Sequence, residues 1–195
     1  MMQPIERFSG CLLGLAIGDT VGTTLEFKRP GSFEPLTDMV GGGPFRLKPG
    51  QWTDDTSMAL CLAASLIECR GFDARDQMER YVRWWREGYM SSTGHCFDIG
   101  NTTAEALGIF QRTRDPFAGA TDLDKAGNGS LMRPAPVPMF SSKRSGVVGL
   151  WSGIVIPGSH SAGGQPGRRC RHHRRDLRTV GGGFLWGGEL AKEVV

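Results

Sequence analysis

Four glycines, Gly10, Gly14, Gly18 and Gly22, recur every fourth residue in the run "ERFSGCLLGLAIGDTVG". Leu, Ala and Ile fill the spaces between them, so the run reads as a helix with one bare ridge. Glycine costs about 1 kcal/mol relative to alanine inside a helix, so a ridge of them needs a compensating reason. The expectation is a face on which neighbouring backbones approach closely.

The next 120 residues keep the helical spacing. From Asp54 onward, Met58, Leu60, Cys61, Ala64 and Leu66 form an apolar pattern, with Gly71 placed as a C-terminal cap. "DARDQMERYVRWWREGY" reads as a second amphipathic helix with Met78, Tyr81, Val82 and Trp85 on one side. "DIGNTTAEALGIFQR" reads as a third. "KAGNGSLMRPAPVPMF" is a Gly-rich turn leading into a short apolar helix that Pro134, Pro136 and Pro138 should interrupt. Between the first two helices, residues 28–51 are rich in Pro and Gly and read as a long surface loop, a type that is often functional. No stretch before residue 140 alternates as a strand would, so the expected class is all-α.

Charge divides the chain. Residues 1–140 carry 14 Lys/Arg against 17 Asp/Glu, whereas residues 141–195 carry 9 against 3. The second segment also holds 12 of the glycines, three of the four histidines and the run "GRRCRHHRRDLR". Arginine clusters attract phosphate, but no aromatic platform or nucleic-acid motif accompanies this one, so nucleic acid is not the expected partner. His172 and His173 are adjacent, and adjacent side chains on a helix face different ways, which disfavours a metal pair. The five cysteines lack CxxC spacing, and Cys11 and Cys61 sit in apolar runs where cysteine acts as a small core residue. A reducing, cytoplasmic setting is therefore expected. The apolar stretch "CLLGLAIGDTVG" is short and broken by Asp19, so no membrane partner is expected.

Chemistry concentrates in a few places. In "PGQWTDDTSMAL", Thr53, Asp54, Asp55, Thr56 and Ser57 precede an apolar helical run. One reading is a helix cap, with Thr53 or Asp54 at the N-terminus and carboxylates favoured in the first turn. The other is a hard-cation site, since Mg²⁺ and Mn²⁺ take carboxylate and hydroxyl oxygens. "GLAIGDTVGTTLEF" adds Asp19 and Glu26, and "GHCFDIGNTT" adds Asp98. In "AGNGSLMR", the backbone N–H groups of Gly127, Asn128, Gly129 and Ser130 suit a phosphate ahead of a helix start. His95 is a candidate base, although an ordinary surface or packed histidine is the commoner case.

Taken in order, "GCLLGLAIGDTVGTTLEF", "WTDDTSMAL", "FDIGNTT" and "GNGSLMRPAPV" resemble the ADP-ribosylglycohydrolase family, from about Arg7 to Phe140. The resemblance implies an all-α, orthogonal multi-helix bundle with two divalent cations, Mg²⁺ or Mn²⁺. It implies hydrolysis of the bond between ADP-ribose and an acceptor: an ADP-ribosylated protein, often at arginine, or a small-molecule conjugate. By position, Thr53, Asp54 and Asp55 look like metal ligands, and Glu26 and Asp55 like the catalytic acids. Asp98 and Gly100 look like substrate-site residues, and Gly127, Asn128, Gly129 and Ser130 like the loop on the ADP-ribose phosphates. A non-catalytic ADP-ribose-binding module is the alternative.

The family draws its remaining metal ligands from a late Asp-x-Asp-Thr type motif, which this sequence lacks; after Asp124 its only aspartate is Asp176. Residues 1–140 thus read as the N-terminal part of such a domain. Residues 141–195 read as an atypical Gly/Arg/His-rich tail, for which a shift of reading frame near residues 141–150 and a genuine divergent tail are the two accounts. Half of the metal ligands being absent, loss of activity is an expected consequence.

Overall fold

The computed structural model describes residues 4–141, apart from positions 121, 123, 124 and 126. The expectations placed on Cys170, His172, His173, Asp176 and the basic run lie outside the described residues. Among the described residues five α-helices follow in order: α1 Pro4–Gly22, α2 Asp54–Glu68, α3 Ala74–Glu87, α4 Asn101–Thr113 and α5 Pro136–Ser141. Among the described residues there is no strand, only an isolated bridge between Gly42 and Leu47, so the all-α expectation holds.

The core forms where α2 meets α3 and α5, and α3 meets α4. Met58, Cys61, Leu62 and Leu66 of α2 face Met78, Tyr81 and Trp84 of α3, with Leu107 and Phe110 of α4 and Val137 of α5 closing the cluster. Met58, Cys61 and Leu66 on α2 and Met78 and Tyr81 on α3 are buried as expected, and one position on each stripe shifts by a neighbour. Leu62 is buried where Leu60 is half-buried, and Trp84 is fully buried where Trp85 packs only at the margin. On α3 this follows from geometry: Gln77, Tyr81 and Trp84 step by four and three, and Trp85 lies one position around the helix, covered by the Arg86 guanidinium. Arg80, also buried, is balanced by Asp76 at 2.6 Å and Glu68 at 2.6 Å.

The helix ends explain where the loops go. Asp73 caps α3, its carboxylate accepting from the backbone N–H groups of Arg75 and Asp76. Gly88 ends α3 at φ 70°, where a side chain would collide with the Gly94 carbonyl. On α2 the left-handed position falls on Arg70 (φ 52°), not on the expected Gly71. The 88–95 loop is clasped to the approach to α2: Ser92 Oγ donates to the Trp52 carbonyl at 2.6 Å, and Trp52 Nε1 donates to the Met90 carbonyl. That clasp fixes the chain immediately before Thr53.

Helix α1 departs most from expectation. No atom lies within 4 Å of where a Cβ would stand on Gly10, Gly14, Gly18 or Gly22, so among the described residues no backbone nestles against the ridge. Leu13 and Ile17 are exposed, and Cys11 is exposed rather than packed in the core. The helix is also unbroken through Asp19, and Ile5–Leu25 is long and apolar enough to cross a membrane by length and composition, contrary to the reading of a short, broken run. Asp19 nevertheless ties α1 to α2, as described next.

Candidate active site

The start of α2 is capped from another helix. Thr53 occupies the N-cap position but makes no side-chain cap bond of its own. Its backbone N–H lies 3.0 Å from both oxygens of the Asp19 carboxylate on α1, and its hydroxyl donates to Asp19 Oδ1 at 2.7 Å. The Thr56 N–H and hydroxyl donate to Oδ2 at 3.1 and 2.6 Å. An acceptor 34 residues upstream of Thr53 therefore takes the N–H groups of Thr53 and of Thr56 in the first turn. Asp54 and Asp55 are released from that duty. The N-cap position falls on Thr53, as the cap reading allowed, with Asp19 as the capping acceptor.

Both released side chains face a cleft of about 770 Å³. One wall is the glycine ridge of α1, through Gly14, Gly18 and Gly22. The floor carries five carboxylates, Asp19, Glu26, Asp54, Asp55 and Asp98, and among the described residues no Lys, Arg or His lines the space. The opposite wall combines the first turn of α4, Gly100 to Thr103, with Gly127, Asn128 and Gly129. Ser130 stands beside it, lining a small adjoining pocket with Thr102 and Thr103. Glu26, Thr53, Asp54, Asp55, Asp98, Gly100 and Gly127 to Gly129 thus line one cleft, with Ser130 at its edge. His95 does not; it is exposed and packs against Phe97.

Local backbone geometry explains several placements. Asp98 adopts a left-handed conformation (φ 58°), which aspartate tolerates better than most residues, in the loop just before α4. There its carboxyl interacts with that of Glu26 across the cleft. Gly129 presses on α4 so closely that a Cβ would stand 2.8 Å from Thr103 Oγ1. Gly100 has open space around it, and that space is the cleft.

Crowding of like charge governs the electrostatics. Burial, then the charges of Asp98, Asp55 and Asp19, pushes the Asp54 carboxyl up to about 8. Burial, then Glu26, Asp55 and Asp19, pushes Asp98 up to about 7. Burial, then Asp19 and Glu26, pushes Asp55 up to about 6. Glu26 is raised as well, by burial first and Asp19 second. Carboxylates brought together without a basic partner hold protons or recruit a cation.

The donor set fits a hard divalent cation from one side. The five carboxylates offer oxygen donors, and the Thr53 hydroxyl, its proton engaged by Asp19, can offer only lone pairs. Among the described residues no three carboxylates converge tightly enough to enclose an ion alone. Thr53, Asp54 and Asp55 are the group that would hold one half of a coordination shell.

Sequence reasoning did not find the glycine ridge as a cleft wall, nor Thr102 and Thr103. The available signal was spacing: Gly14, Gly18 and Gly22 share an i, i+4 ridge beside Leu15 and Asp19, so an acid there faces wherever the glycines face.

The ADP-ribosylglycohydrolase family matches residues 1–148. The chain is 50% identical over 141 residues to an ADP-ribosylarginine hydrolase of Serratia proteamaculans, covering 72% of this chain and 38% of that protein. It is 36% identical over 138 residues to an ADP-ribosyl-[dinitrogen reductase] glycohydrolase of Rhodospirillum rubrum, covering 69% of this chain and 42% of the other. Among solved structures, an ADP-ribosylglycohydrolase-related protein complex superposes with a TM-score of 0.65 at 43% identity, over 78% of this chain and 48% of that one. The chain therefore spans about two fifths of the length of the curated relatives it matches.

Proposed function

This chain belongs to the ADP-ribosylglycohydrolase family, and from that premise we propose that its cleft takes part in hydrolysing the bond between ADP-ribose and an acceptor, an arginine side chain of a modified protein above all. One observation carries the reading: five carboxylates and the Gly127–Ser130 loop, distant in sequence, line one cleft and its edge.

A divalent cation, Mg²⁺ or Mn²⁺, would be held by Thr53, Asp54 and Asp55 and would supply charge to orient ribose hydroxyls and a water. The chain's own residues supply the rest. Gly127 to Ser130 offer backbone N–H groups to the diphosphate, and Gly129 lets that loop lie against α4. Asp55 lines the cleft and is the carboxylate that would accept a proton from water. Glu26 lines the cleft beside Asp55 and Asp98, with its carboxyl interacting with that of Asp98. Gly100 leaves the mouth of the site open beside these acids.

The test is release of ADP-ribose from an ADP-ribosylated arginine peptide, with Mn²⁺, with Mg²⁺ and with a chelator. The expected result is cation-dependent release that Asp55→Asn abolishes. Binding of ADP-ribose without release under any of these conditions would refute hydrolysis by this chain, and would be the behaviour expected if no group supplies the ligands of the missing Asp-x-Asp-Thr type motif.

A further inference from the structure

Asp19 is the one carboxylate on the cleft floor whose acceptor capacity is already used. Its two oxygens receive the Thr53 and Thr56 backbone N–H groups and both threonine hydroxyls, at 2.6 to 3.1 Å. An ionised carboxylate offers roughly four lone-pair sites. With those taken, Asp19 has no oxygen left to give a cation, which separates it from Asp54 and Asp55. Thr53 is buried and lines the cleft, whereas Thr56 is buried and does not.

The hydroxyl chemistry then fixes a direction. Thr53 Oγ1 has one proton, and that proton goes to Asp19. What remains on Thr53 Oγ1 is acceptor capacity, which suits a positive group in the cleft. The same carboxylate grips Thr56 one turn on, so the first turn of α2 cannot rotate without breaking bonds at both threonines.

We propose that Asp19 is a positioning residue for cation binding: from α1 it orients the Thr53 hydroxyl and locks the first turn of α2, so that Thr53, Asp54 and Asp55 present a preformed half-shell. The inference rests on the cation-dependent reading above and adds to it a residue that acts through others. It also makes α1 part of the site, since the capping acceptor and the glycine wall come from one helix.

The test titrates Mn²⁺ alone, by calorimetry, into the full chain and into Asp19→Asn, Thr56→Val and Asp54→Ala, with circular dichroism recording fold and thermal midpoint. Asp19→Asn should weaken Mn²⁺ binding by about tenfold or more, the usual effect of losing an outer partner of a ligand. Thr56→Val is close to isosteric, leaves the charge unchanged and replaces a residue that does not itself line the cleft, and it should weaken Mn²⁺ binding several-fold by removing the hydroxyl's bond to Asp19. It also keeps the test decisive if Asp19→Asn does not fold. A merely structural role would lower thermal midpoints while leaving Mn²⁺ affinity intact in the folded variants, and that result would overturn the proposal. Loss in Asp19→Asn with none in Thr56→Val would mark a charge effect and would equally overturn it. If the unsubstituted chain binds Mn²⁺ no better than Asp54→Ala, the cation reading of the cleft itself fails, and the proposal with it.

Discussion

Replacing Gly18 by alanine should stabilise this protein, which is an unusual expectation for a buried-looking glycine motif. Gly18 lies inside α1, and no atom stands within 4 Å of the position its Cβ would take. The substitution therefore meets no steric penalty and gains about 1 kcal/mol of helix propensity. For a domain of this size that corresponds to a rise of roughly 4 °C in thermal midpoint. Gly10→Ala is the internal control, because Gly10 is equally open but does not line the cleft. Thermal unfolding followed at 222 nm, alongside ADP-ribose binding by calorimetry, reads both effects. Gly10→Ala should raise the midpoint and leave binding alone. Gly18→Leu should remain folded yet lose most of the binding, since its side chain projects into the cleft. A lower midpoint for Gly18→Ala would show that the ridge packs against backbone after all, and unchanged binding in Gly18→Leu would show that this wall does not touch ligand. Either result refutes the assignment of the ridge to the cleft.

Stability should depend on pH with a definite sign. Each raised carboxyl binds its proton more tightly folded than unfolded, a preference fully present below the ordinary value of 3.8 and lost as pH rises through about 6, 7 and 8 for Asp55, Asp98 and Asp54. In chelator the urea midpoint should thus fall from pH 4 to 8, and a flat profile would contradict the crowding of these acids. Gly129→Ala forces a Cβ against Thr103 Oγ1, at 2.8 Å, and should weaken ADP-ribose binding; adding Thr103→Ala should restore part of it, as a double-mutant cycle would show. Asp76→Ala leaves the buried Arg80 with only the exposed Glu68 as carboxylate partner and should cost about 3 kcal/mol in urea denaturation.

Much of this was legible in the chain itself. Helical spacing placed α2, α3 and α4 to within a few residues, because apolar residues at 3.6-residue intervals can be buried together only on a helix. The ordered motifs around Glu26, Asp54, Asp98 and Gly127 carried the family, and the structure brings those residues to one cleft. Stripe boundaries were less legible: neighbouring Trp84 and Trp85 are chemically identical, and only the approach of α2 and α4 decides which one is sealed.

Two features belonged to the tertiary structure alone. A capping residue can be recognised locally when, like Asp73, it lies beside the helix it caps. Asp19 caps α2 from 34 residues away, and no local pattern encodes that distance. The glycine ridge, likewise, specified a bare helix face without specifying what stands opposite. Sequence determines which atoms a helix face lacks; only the packing of the other helices determines whether backbone or an open cleft occupies the space.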